Sequence, residues 1–137
     1  MDVIEFVICP DPEWDWDVWV PVVNGRPLVD IVDIAARIGS GYSAMRIEAA
    51  DDVIAAHSSD GLIMRTVILW CSCGDPGCGH VEMTIGREPA RVMWQQFVSS
   101  RGEPLDLRFA FDRGRYERAM GAPRRSTSPI YGASRES

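Results

Sequence analysis

The sequence has no lysine. All 14 of its basic residues are arginine, against 20 acids, and the formal net charge is −6. Arginine used alone in this way reads as the coding bias of a GC-rich genome. A chain this acidic is not drawn non-specifically to nucleic acid or to an anionic membrane, because the long-range field repels both. Long apolar runs are missing too. The longest uncharged apolar stretch is Val18–Val23, broken by Pro21, whereas a membrane span needs roughly 20 residues. No basic, apolar and small-residue sequence of regions opens the chain, so no secretory signal is expected.

Catalytic patterns are absent as well. His57 and His80 are the only histidines, and neither belongs to a Ser/His/Asp arrangement. The acids of Asp51-Asp52 are adjacent, so their side chains diverge. Gly39-Ser40-Gly41 lacks the lysine of a phosphate-binding loop. What remains is a chain of 137 residues, 46% apolar and 25% charged, the balance of a soluble globular domain with a core of its own.

The charges are unevenly placed. Up to Asp33 there are eight acids and one base, Arg26. From Arg101 onward there are eight arginines and five acids. The two ends can attract one another or offer two faces to different partners.

Local pattern predicts an α+β fold, with a mostly antiparallel sheet and two or three short helices. Strands are expected at Val3–Cys9, at Val18–Val23 (an edge or bulged strand because of Pro21), at Leu62–Cys73, His80–Gly86, Ala90–Val98 and Leu105–Phe111. Asn24-Gly25 is a hairpin turn signal. Pro27–Ile38 has helical spacing and a stop at Gly39. Ala44–His57 reads either way. Asp112 can cap a closing helix, Arg113–Met120. Residues 1–120 then form a single domain. Residues 121–137, rich in Ser, Arg, Pro and Gly, are expected to be a mobile tail.

Two motifs carry chemistry. In the first, Cys71, Cys73, Cys78 and His80 are spaced Cys-x-Cys-x₄-Cys-x-His. If Gly74–Gly77 is a four-residue turn, Cys73 opposes Cys78 and Cys71 opposes His80, so all four project from one face. Three thiolates and an imidazole form a closed structural zinc set. Soft ligands of this kind also suit Cu(I) or an iron–sulfur centre. The same cysteines can instead pack as small apolar residues or do thiol–disulfide work. With Cys9 alone and no secretion signal, a reducing, cytoplasmic home fits better than a disulfide framework.

The second motif is Trp14-Asp15-Trp16-Asp17, in a loop begun by Pro10 and Pro12. Extended, it places the tryptophans on one side and the acids on the other. Arginine stacks on tryptophan, so the loop can dock a basic protein surface. The alternative folds the tryptophans back onto the sheet.

The Cys-x-Cys-Gly-x-x-Gly-Cys hairpin of Cys71–Cys78 resembles that of a group of small uncharacterised bacterial proteins. So do Val23–Leu28, Trp94–Phe97, and the Phe-x-Phe-Asp-Arg-x-x-Tyr-Glu run of Phe109–Glu117. The resemblance implies no particular activity. Taken together, these features lead to the expectation of a non-catalytic binding or regulatory protein whose partner is another protein. A thiol- or metal-dependent enzyme at the hairpin and a structural subunit of an oligomer are the alternatives.

Overall fold

A computed structural model describes residues 1–36, 42–48, 50, 64–71 and 79–132. Strands Ile4–Pro10 (β1) and Asp17–Val23 (β2) pair antiparallel, with Phe6 opposite Pro21 and Ile8 opposite Trp19. The far side of β2 is met by two short strands, Arg26–Pro27 (β3) at Val22 and Val23, and Met45–Arg46 (β5) at Val18 and Trp19. Pro21 falls between them, where no ladder bond is asked of its nitrogen. The proline therefore does not confine β2 to an edge. Asn24 and Gly25 both take positive φ, 53° and 81°, as a two-residue hairpin turn requires. Helix α1, Leu28–Ala36, follows at once and buries Leu28, Val29 and Val32 while Ile34 faces out.

The second sheet holds Tyr42–Ser43 (β4), Met64–Cys71 (β6), His80–Arg87 (β7), Arg91–Ser99 (β8), Pro104–Leu105 (β9) and Phe109–Asp112 (β10). Its order is β10-β8-β7-β6-β4, with β9 also on β8, and every pair is antiparallel. The fold is thus α+β, as expected, but with two sheets where the pattern suggested one. Leu105–Phe111 is not one strand. Leu107 N–H donates to Leu105 O at 2.8 Å, a three-residue turn at Asp106 that interrupts the alternation. Two irregularities flank the same part of β7, one in the pairing with β6 at Val67–Leu69 and one in the pairing with β8 at Glu82–Thr84. Gln96, in the second, has φ 55°.

The core joins both sheets through aromatic rings. Phe6 stacks on Trp19 at 4.7 Å and lies 6.4 Å from Trp94 across the gap. Trp94 meets Phe111 edge-on at 5.2 Å. Helix α2, Arg113–Gly121, is capped by Asp112, whose carboxylate accepts from Arg115 N–H at 3.0 Å. It delivers Tyr116 into the same cluster, where Trp94 Nε1–H donates to the Tyr116 hydroxyl at 3.3 Å. Fully buried rings such as Phe6 and Phe111 each contribute roughly 1.5–3 kcal/mol by area. No helix among the described residues is long and apolar enough to cross a membrane.

The segment expected to be a mobile tail is part of the fold as far as residue 132. Arg124–Arg125 (β11) runs parallel to β1, opposite Val7 and Ile8, and Ser126 N–H donates to Ile8 O at 2.9 Å. Tyr131 is buried. Composition misses this because two pairing residues and one aromatic anchor suffice to hold a polar segment against an existing edge. Residues 133–137 lie outside the described residues.

Candidate functional site

The connection between β1 and β2 is shaped by one buried carboxylate. Asp11 Oδ1 accepts from the N–H groups of Glu13 and Trp14 at 2.8 and 2.9 Å, and Asp11 N–H donates to Trp16 O at 2.9 Å. This is the side-chain-to-backbone turn that Asp makes readily. Its other oxygen, Oδ2, accepts from the Tyr131 hydroxyl at 3.3 Å, and that hydroxyl accepts from Ala44 N–H at 3.2 Å. Burial first, and the Asp11 charge second, push the Tyr131 hydroxyl well above the usual tyrosine range. Burial likewise raises the Cys9 thiol, opposed by a hydrogen bond from the Ile130 backbone.

On this base the two tryptophans lie ring to ring, 5.2 Å apart and 5° from parallel. Trp14 is 44% exposed, whereas Trp16 is partly buried and packs against the core. Glu13, Asp15 and Asp17 are exposed. One ring thus folds back onto the core while its neighbour stays partly exposed. Arg46 of β5 places its guanidinium carbon 4.6 Å from the Trp16 ring centroid. The loop presents a stacked aromatic pair in a segment with three exposed acids. It suits a planar cation, and the chain's own arginine already lies on it.

Asp11, Arg46, Tyr131 and Gly132 were not among the expected site residues. Gly132, at φ 83°, sits so close to the loop that a Cβ there would come within 2.9 Å of Pro12 Cγ. An Asp-Pro-Glu opening hints at the carboxylate turn, and Tyr131-Gly132 is the lone aromatic in a polar stretch. Nothing local announces Arg46, which arrives through a two-residue strand.

The cysteine hairpin differs in register from the expectation. Trp70, not Cys71, is opposite His80, and Cys71 N–H donates to Gly79 O at 2.8 Å. Alternation then puts Cys71 and His80 on opposite faces of the ladder. Cys73 and Cys78 lie outside the described residues. Among the described residues, no group of three or more His, Cys, Asp or Glu side chains is gathered as a metal site would need. His80 Nε2 is 3.1 Å from Glu82 Oε1. Glu82 also accepts from Arg65 Nε at 3.0 Å, while Arg65 Nη1 reaches Thr84 Oγ1 at 3.1 Å and Gln96 O at 3.2 Å. This polar network spans β6, β7 and β8 beside the two irregularities and gives the left-handed Gln96 a bonding partner for its carbonyl.

No protein-family model, curated protein or solved structure matches this chain.

Proposed function

We propose that the chain is a binding protein that recognises another protein through the loop of Trp14, Asp15, Trp16 and Asp17, with a reducing, cytoplasmic setting. The reading rests on one observation: a large, 44% exposed indole, Trp14, stacked on a second ring and held by a turn that the buried Asp11 fixes. Exposed tryptophan on a pre-formed support is the composition of an interface anchor, since little ordering entropy is lost when a partner covers it. The exposed acids around it favour a basic partner by charge complementarity.

A photo-crosslinking residue at Asp15, used in cells of the natural host, tests the reading. One protein is expected to crosslink, and the purified pair should then bind. Trp14→Ala with Asp15→Asn should reduce that binding at least about tenfold with the fold intact. Equal capture by the double variant would remove the loop from consideration as the docking surface.

A further inference from the structure

We infer that the loop's ligand is an arginine side chain of a protein segment, and that Arg46 is its stand-in: the partner's guanidinium replaces that of Arg46 over Trp16. This rests on the reading of the loop as a docking surface and names what that surface takes.

The chain itself shows the chemistry. The guanidinium both stacks flat on an indole and forks to carboxylates, whereas the lysine ammonium is a strongly hydrated point charge that is attracted to the ring face but neither stacks flat nor binds bidentately. Arg46 makes the stack at 4.6 Å. Its other fixed partner among the described residues is Glu48, at 3.6 Å, with the two side chains 44% and 67% exposed. That distance is an ion pair without a hydrogen bond, and at such exposure it is a weak restraint. The occupant is therefore held by two contacts that solvent already weakens, on a tryptophan that the core keeps in place. An incoming arginine meets the same ring, the exposed neighbour Trp14, and the carboxylates of Glu13, Asp15 and Asp17. Arg46 then swings into solvent with its charge intact. The long-range attraction comes from the eight-to-one excess of acids over bases up to Asp33.

The test is an NMR titration of the full chain with two pentapeptides, Gly-Arg-Gly-Arg-Gly and Gly-Lys-Gly-Lys-Gly, following the indole N–H signals of Trp14 and Trp16. The arginine peptide is expected to shift both signals, and the lysine peptide to need about tenfold more to do the same. Arg46→Gln, with its melting temperature checked, should tighten the arginine peptide about fivefold by removing the competitor. Unchanged or weaker binding by Arg46→Gln would show that Arg46 is a clamp and not a stand-in. Equal response to both peptides would reduce the surface to simple charge attraction. Signals that stay still with both peptides, in wild type and variant, defeat the arginine assignment even where a protein is still captured at Asp15. That last result leaves the docking reading standing, whereas loss of the Asp15 crosslink removes both.

Discussion

Tyr131 reaches back over nearly the whole chain to donate its hydroxyl hydrogen to Asp11 Oδ2 at 3.3 Å. The Tyr131 hydroxyl oxygen in turn accepts from Ala44 N–H at 3.2 Å. One phenol thus joins the C-terminal segment, the tryptophan loop and the segment that carries Arg46. Tyr131→Phe keeps the ring and deletes both bonds, leaving a buried N–H and a buried carboxylate oxygen short of a partner. A loss of about 1–3 kcal/mol is expected from urea unfolding. Gly132→Ala should cost about 1–2 kcal/mol, because alanine is strained at φ 83° and its Cβ meets Pro12. Stabilities equal to wild type in both variants would mean that the segment does not brace the loop.

The raised Tyr131 hydroxyl and Cys9 thiol fix the sign of the alkaline response. Both groups hold their protons more tightly folded than unfolded, so the unfolded chain ionises first as pH rises. Stability should be level below the ordinary thiol value of about 8.5 and fall above it, then fall more steeply above the ordinary tyrosine value of about 10. Cys9→Ala should remove the first decline and Tyr131→Phe the second. Urea midpoints between pH 7 and 11 read this directly, and a profile that rises with pH would reverse the argument.

Trp14 and Trp16 should separate in mutagenesis. Trp14→Ala is expected to change stability by less than about 1 kcal/mol, since that ring stacks at the surface, 44% exposed, and lies outside the core. Trp16→Ala removes a ring packed against the core and is expected to cost about 2–4 kcal/mol. Thermal or urea unfolding decides it, and a larger loss at Trp14 would make the outer ring a core element.

The zinc proposal for Cys71, Cys73, Cys78 and His80 is tested by metal analysis of protein purified without chelator. About one equivalent per chain, lost in Cys73→Ser and kept in Cys9→Ser, is the zinc outcome. His80 already pairs with Glu82, on the face away from Cys71. His80→Gln should therefore leave the metal content unchanged. If it strips the metal, the hairpin closes differently from the ladder that leads into it.

Most strands and the capped closing helix were legible because their signals are local. The β-branched run of β1, the alternation in β7, and the Asp112 cap each fit within one element. The exceptions turn on partners distant in sequence. Pro21 reads locally as an edge or bulge marker, but the gap between β3 and β5 receives it inside the sheet. A four-residue turn at Gly74–Gly77 sets Cys71 opposite His80, but the ladder sets Trp70 there, and a one-residue change moves every side chain to the other face. Trp16 could be recognised as aromatic and acid-flanked, but its arginine neighbour comes from a strand too short to carry a pattern. The Arg65–Glu82–His80 network has no sequence signal, since its members alternate with core residues on two separate strands.

The pairing of β11 with β1 also sets a schedule. During synthesis β1 emerges before β2 and pairs with it within a few residues, yet its other margin at Val7 and Ile8 stays bare until Arg124 and Arg125 are made. Val7 and Ile8 lie on that margin, in a run of β-branched and aromatic residues that is a ready template for strangers. A ribosome stalled before residue 124 would hold a chain with most of its elements made and one strand edge open at Val7 and Ile8. The two arginines that finally close it bring charge to the outermost strand, the means by which sheets discourage further growth. Closing this margin of β1 and protecting it against aggregation are thus the same event.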